Sequence, residues 1–246
     1  MNQNEHENVE IFESPGELAQ ALANHFINAA QTAITVRGAF FVALAGGTTP
    51  KAAYQLLAQE PYRDTVSWAD VFIFFGDERC VPPDDDQSNY RMAKTAFLDG
   101  VNIPAHNIHR MRGEADPSTA AAEYATMMQQ DLGEFPRFDL ILLGMGPDGH
   151  TASLFPGSLQ NHAGETLVEA PYVEKFKTYR LTITPRVINN AREVCIATEG
   201  AGKSPTLAAV LRGPKDPNKY PVQIVAPTDG QLTWLVDRAA ASELET

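Results

Sequence analysis

The stretch Gly144-Met145-Gly146-Pro147-Asp148-Gly149-His150-Thr151 holds the strongest candidate for chemistry in this chain. His150 stands in a glycine-rich turn, two residues from the carboxylate of Asp148. A neutral imidazole can take a proton from water near pH 7, and such general-base help is worth about 10²–10⁴ in rate. The other five histidines read as structural or solvated: His6 lies in a polar lead-in, His25 within a helix, and His106, His109 and His162 in polar loops or at their edges.

Three more segments combine glycine with polar or charged side chains. Gly46-Gly47-Thr48-Thr49-Pro50 reads either as a capped tight turn or as an anion site, where free N–H groups and the helix dipole favour negative charge. Gly76-Asp77-Glu78-Arg79 sets two acids beside a guanidinium. Gly200-Ala201-Gly202-Lys203-Ser204 carries the end of a P-loop pattern, but Ala197 stands where its first glycine belongs, which leaves Lys203 as a single phosphate contact. Gly144, Gly146 and Gly149 also spell G-x-G-x-x-G, with Glu169 twenty residues beyond. A dinucleotide site is nevertheless disfavoured, because Pro147 interrupts the turn and Asp148 would repel a pyrophosphate.

Other chemistries lack their residues. There is no G-x-S-x-G nucleophile elbow and no H-E-x-x-H or clustered Cys/His ligand set. Asp84-Asp85-Asp86 reads as a solvated loop, and Cys80 has no histidine beside it in sequence. Cys80 and Cys195 make no disulfide framework and read as reduced thiols.

These segments need elements to hold them. Ser14-Pro15-Gly16-Glu17 is a capping box that opens a helix with Leu18, Leu22 and Phe26 on one face. Strands are expected at Phe40–Leu44, Val71–Phe75, Phe138–Leu143, Arg180–Thr184, Val194–Thr198 and Leu232–Val236. Helices are expected from Thr49 to Gln59, Ser88 to Leu98, after Asp116-Pro117, from Pro185, and from Ser204 to Leu211. Residues 76–87 read as a loop, and Tyr220–Ala226 fits strand or helix. Apolar strands alternating with amphipathic helices predict a three-layer α/β/α fold, a Rossmann-like, mostly parallel sheet with helices on both faces. Ligands of such sheets bind beyond the carboxyl ends of the strands, which places the chemistry after Leu44, Phe75, Leu143, Thr184 and Thr198.

The 246 residues suit a single domain spanning 1–246, and 43% hydrophobic residues suffice for a sizeable core. The 19 basic against 31 acidic residues give a net charge of −12, which disfavours nucleic acid and anionic membranes as partners. The polar N-terminus lacks a signal-peptide pattern, and no apolar run approaches the roughly 20 residues of a membrane span. The expectation is a cytoplasmic protein, a monomer or small homo-oligomer, acting on a small molecule.

Taken together, the segments resemble the 6-phosphogluconolactonase family, within the larger group that includes glucosamine-6-phosphate deaminases. The matching residues are Ala45 to Pro50, then Gly76-Asp77-Glu78-Arg79 with Val81-Pro82 and Ser88-Asn89, then Gly144 to Pro156, Arg180-Leu181-Thr182, and Gly202-Lys203. Each motif alone is weak, whereas five in order across most of the chain are specific. The resemblance implies hydrolysis of 6-phospho-D-glucono-1,5-lactone to 6-phosphogluconate, the second step of the pentose phosphate pathway, with no metal, nicotinamide or other cofactor. The deaminase branch carries an acid five residues after the motif histidine, where this chain has Phe155, and tends to D-E-Y where this chain has Asp77-Glu78-Arg79. Both departures favour the lactonase. A non-catalytic sugar-phosphate sensor on the same fold is the remaining alternative.

Under that resemblance His150 is expected to be the base, Asp148 to orient it, and Arg79 to stabilise the oxyanion or grip sugar hydroxyls. Arg180 and Lys203, with the Gly46-Gly47-Thr48 turn, are expected to hold the phosphate. Asp77 is expected to shape the substrate site.

Overall fold

The computed structural model describes residues 7–158 and 164–244, so His6 and His162 lie outside the described residues. In chain order the elements are β1 (Glu7–Phe12), α1 (Pro15–Arg37), β2 (Phe40–Leu44), α2 (Thr48–Leu57), β3 (Val71–Phe75), β4 (Asp77–Arg79), α3 (Asn89–Ala96) and α4 (Pro117–Leu132). There follow β5 (Leu140–Gly144), β6 (Val168–Glu169), β7 (Tyr172–Val173), β8 (Thr178–Ile183), α5 (Pro185–Ile188), β9 (Glu193–Thr198), α6 (Ser204–Arg212) and β10 (Gln231–Asp237).

Six strands form one all-parallel sheet in the order β1-β10-β9-β5-β2-β3. The chain leaves β2 toward β3 on one side and re-enters at β5 on the other. The gap between β2 and β5 is therefore the topological switch point at which α/β sheets bind ligands.

Alternation along the strands divides the core between the two faces. Leu140 and Leu142 point to one face with Phe40, Val42, Leu44, Ile73 and Phe75, under α1, α2 and α3. Ile141 and Leu143 point to the other with Phe74, Ile196 and Trp234, under α4, α6 and β8. The helices start where their caps predict. Ser14 Oγ accepts from Glu17 N at 3.2 Å, Ser88 Oγ from Arg91 N at 3.1 Å, and Asp116 Oδ1 from Thr119 N at 2.9 Å. α1 runs on to Arg37 and stops at Gly38, whose φ of 81° suits a glycine. No described helix is long and apolar enough to cross a membrane.

Two local expectations need correction. The strand expected at Arg180–Thr184 does not join the parallel sheet. β8 lies in a small antiparallel sheet ordered β4-β8-β6, with β7 also on β8. Its Thr-Tyr-Arg-Leu-Thr-Ile sequence carries polar residues that an interior parallel strand does not tolerate on both faces. The expected loop from residue 76 opens as β4, because pairing with β8 overrides the poor strand propensity of Asp77-Glu78-Arg79. β1, whose charged sequence gives no strand signal, pairs with β10 as an edge strand that tolerates charge. The Tyr220–Ala226 segment settles as a short 3₁₀ turn, Pro221–Ile224.

Candidate active site

The ends of β2, β3, β5 and β9 open onto one cleft of about 260 Å³. It is lined by Gly46, Gly47 and Thr48, by Asp77 and Arg79, by Gly146 and His150, and by Lys203. Asp148 and Arg180 lie outside this lining.

Two buried tyrosines fix the strand ends. Tyr54 of α2 exchanges hydrogen bonds with Ala45 N and O, each 3.1 Å. Tyr124 of α4 accepts from Phe75 N at 2.7 Å and donates to Phe75 O at 3.2 Å. Ala45 and Phe75 immediately precede the cleft segments, so these bonds hold backbone groups that a strand end would otherwise leave unpaired.

The turn after β5 closes on itself. Gly146 N donates to His150 O at 2.8 Å, Gly149 N to Gly146 O at 3.0 Å, and Thr151 Oγ1 to Gly144 O at 2.8 Å. The fold-back brings His150 Nδ1 within 2.5 Å of Asp148 Oδ1, while Lys175 Nζ donates to Asp148 Oδ2 at 3.0 Å. Burial works to raise the Asp148 carboxyl, but the hydrogen bonds from His150 and Lys175 outweigh it and hold it well below the usual carboxylate range. An ionised Asp148 assigns the imidazole proton to Nδ1 and leaves Nε2 with its lone pair. Phe155 packs on the imidazole with ring centroids 4.6 Å apart.

Across the cleft, α2 begins after Gly47 (φ 102°), and no side chain caps its first turn. Its leading N–H groups and positive dipole end are thus available to an anion. Lys203 adds a half-buried ammonium, whose pKa desolvation lowers while Asp148 opposes the shift. Thr198 Oγ1, at the end of β9, is buried without a hydrogen-bond partner among the described residues and lines the same cleft.

The acids of β4 divide by direction. The Asp77 carboxylate faces the cleft, accepting from Asn89 Nδ2 at 3.1 Å and Ser153 Oγ at 2.7 Å. Glu78 turns away and accepts from Ser88 Oγ and from the backbone N–H groups of Asn89 and Tyr90 at the start of α3. Burial raises its carboxyl and those N–H groups oppose it. Arg79 reaches the cleft with Nη1 on Gln87 O at 2.5 Å. Arg180 is its cross-strand neighbour, but its guanidinium lies over Phe176, 5.1 Å from the ring centroid.

Asn89, Thr198 and Glu199 line the cleft without having been singled out as site residues. The strand-end rule reaches Thr198 and Glu199, and close packing explains Asn89: a Cβ on Gly46 would collide with its side chain. Lys175 carried no such signal. Outside the cleft, one expectation is overturned and one is consistent with the structure. His109 is not solvated but stacks on Phe74, ring centroids 4.4 Å apart. Burial pushes the Cys80 thiol up, opposite to an activated nucleophile. Among the described residues no three His, Cys, Asp or Glu side chains gather as a metal-holding group.

Comparison with known proteins fits this geometry. A family model described as glucosamine-6-phosphate isomerases/6-phosphogluconolactonase matches residues 13–234. The chain is 43% identical over 217 residues to a 6-phosphogluconolactonase of Synechocystis sp., covering 86% of this chain and 88% of that one. It is 41% identical over 218 residues to a 6-phosphogluconolactonase of Nostoc sp., covering 87% and 88% respectively. The solved 6-phosphogluconolactonase of Trypanosoma cruzi superimposes with a TM-score of 0.85 at 27% identity, covering 99% of this chain and 100% of that one.

Proposed function

The chain belongs to the glucosamine-6-phosphate isomerase/6-phosphogluconolactonase family, and from that premise we propose that it hydrolyses 6-phospho-D-glucono-1,5-lactone to 6-phosphogluconate in the oxidative pentose phosphate pathway. One observation carries the reading: an imidazole with Nδ1 committed to Asp148 and Nε2 unengaged by it stands across one cleft from an uncapped helix start and Lys203.

Water attacks the lactone carbonyl as His150 Nε2 takes its proton, and Asp148 stabilises the resulting imidazolium. Arg79 faces the oxyanion that forms on the carbonyl oxygen. Collapse of the tetrahedral intermediate breaks the bond to the ring oxygen, which recovers the proton from the imidazolium. The 6-phosphate rests on the first turn of α2, with Gly46, Gly47, Thr48 and Lys203 around it. Arg180 reaches that phosphate only by leaving the face of Phe176, whereas it already strengthens the positive field beside Arg79.

Phe155 against the imidazole disfavours the deaminase alternative, because an apolar ring occupies the position where that branch carries an acid. A binding-only sensor has no use for the His150–Asp148 pair. The test is hydrolysis of freshly made lactone by wild type and His150→Ala, each against the spontaneous rate. Wild-type acceleration that the substitution lowers by about 10²–10⁴ supports the reaction and its base. Near-normal turnover by His150→Ala refutes the base. No wild-type acceleration refutes the reaction, and ammonia release from glucosamine-6-phosphate then becomes the measurement.

A further inference from the structure

We propose that Lys175, on the turn between β7 and β8, is a positioning residue of the hydrolytic site: it holds the second oxygen of Asp148 and thereby sets how much carboxylate charge His150 feels. The inference rests on the reading of His150 as the base.

The turn is built to reach the site. Phe176 N donates to Val173 O at 3.0 Å and Lys177 N to Glu174 O at 3.2 Å, and Lys177 closes the turn in the left-handed region at φ 52°. This directs Lys175 Nζ onto Asp148 Oδ2 at 3.0 Å, while Oδ1 of the same carboxylate serves His150. The next residue backs the aromatic ring that packs on His150. Phe176 packs edge-on against Phe155, ring centroids 5.7 Å apart, and Phe155 packs on His150. One turn thus holds Asp148 directly through a charge and backs the ring of Phe155 that packs on His150. The hairpin itself is mostly solvent-facing, with Tyr172, Phe176 and Tyr179 exposed, so holding the core does not explain these contacts.

Other charges meet the dyad from each neighbouring element. Lys203 approaches Asp148 from the 3₁₀ turn before α6. Asp77 and Arg79 of β4 and Glu199 after β9 share the cleft with His150. Glu169 and Glu174 line a hollow with Asp148 and Lys175 on the hairpin side, and Arg180 lies over Phe176. Among these, Lys175 is the cation that hydrogen-bonds the carboxylate directly.

The sign of the effect follows. Removing the Lys175 charge leaves Asp148 less neutralised and removes a cation from beside the imidazole. Both changes favour the imidazolium over the neutral ring.

The experiment follows the His150 ring proton by NMR as a function of pH, without substrate, in wild type, Lys175→Met and Lys175→Arg. It is paired with pH profiles of kcat/KM for the lactone. The expected result is an upward shift of the imidazole titration, and of the acidic limb of the profile, in Lys175→Met, with both restored in Lys175→Arg. A merely structural lysine would lower kcat at every pH and move neither midpoint. An unmoved His150 titration in Lys175→Met, with wild-type lactonase activity intact, overturns the positioning role alone. A moved titration in a protein that does not hydrolyse the lactone sustains the electrostatic link and overturns the reading of the reaction.

Discussion

Replacing Gly146 by alanine puts a methyl group where the His150 imidazole now lies. The added Cβ falls well inside 3.0 Å of Nδ1 and Cε1, and 2.8 Å from Asp148 Oδ1. Carbon atoms in van der Waals contact rest about 3.5–4.0 Å apart, so the ring must give by roughly 1 Å or more. It has little room to retreat. Phe155 packs on one side of it, and Gly146 N is bonded to His150 O at 2.8 Å. The backbone is not the obstacle, since Gly146 is not among the glycines with positive φ. The ring must therefore turn away from Asp148.

Two magnitudes decide what is lost. The charge-assisted hydrogen bond is worth about 1.5–3 kcal/mol, which a folded domain of this size can lose. Removing a positioned base costs about 10²–10⁴ in rate, or about 2.7–5.5 kcal/mol of transition-state stabilisation. Gly146→Ala should thus remain folded while kcat falls by that factor. The assay is kcat and KM on freshly made lactone net of the spontaneous rate, with thermal unfolding of the same samples. The double variant Gly146→Ala/His150→Ala sharpens the test. With the ring gone the methyl group has space, so the double variant should be no slower than His150→Ala and should melt no lower than Gly146→Ala. A Gly146→Ala enzyme within threefold of wild-type kcat, or losses that simply multiply in the double variant, would refute the steric account.

Three further outcomes are expected. Lys203→Ala should raise KM by about 10–100-fold, the loss of one charge-assisted hydrogen bond, with kcat nearly unchanged; a fall in kcat alone would remove Lys203 from the phosphate. Asp139→Asn should cost about 1–3 kcal/mol in urea unfolding, because the buried carboxylate pairs with Arg37 at 2.8 Å and accepts from Phe41 N at 2.9 Å; it lies at the other end of β5, so kcat per folded molecule should stay constant. Glu114, held by Arg110 through two hydrogen bonds of 2.7 and 2.9 Å, has its carboxyl lowered to about 2. A depressed folded pKa gives stability that is present above the ordinary value near 4.5 and lost as pH falls toward 2. Glu114→Gln should therefore flatten the loss of melting temperature across that window, and an unchanged slope would count against the pairing.

Much of the site was legible because it lies where parallel strands end. Gly46 to Thr48, Asp77, Arg79, His150 and Lys203 all follow apolar runs, and the rule that selected those positions is a property of the sheet. What escaped was set by pairing or packing at a distance. β8 looked like another sheet strand until its partners showed that Arg180 faces Arg79 across an antiparallel pair. The guanidinium of Arg180 nevertheless lies over Phe176 and outside the cleft lining. Glu78 could not be separated from Asp77 by adjacency, since β-alternation and the start of α3 decide which carboxylate faces the cleft. Lys175 stands between Glu174 and Phe176 on a hairpin turn that neither a motif nor the strand-end rule marks.

The glycines of the turn after β5 show how one pattern can carry different physics. G-x-G-x-x-G normally marks places where backbone must come close to a pyrophosphate or to packed helices. Here close approach is equally strict, but the atoms that approach belong to the protein. Gly146 gives its missing side chain's space to the His150 ring and the Asp148 carboxylate. Gly149 turns at φ 76°, and a Cβ there would lie 2.8 Å from Cδ1 of Tyr220. The space that would have received a dinucleotide's phosphates is filled by the His150 imidazole and the Asp148 carboxylate. The pattern thus encodes a sharp turn with no room for Cβ atoms, and the intervening residues decide the chemistry. A carboxylate and an imidazole in that turn suit proton transfer from water, whereas in the proposed mechanism the phosphate is left to the uncapped start of α2 across the cleft. This division also reconciles an acidic chain with an anionic substrate. In the proposed mechanism the anion meets helix N–H groups and Lys203, while acids beside it are engaged by the protein: Asp77 by Asn89 and Ser153, Asp148 by His150 and Lys175, and Glu199 by Thr48 Oγ1 at 3.3 Å.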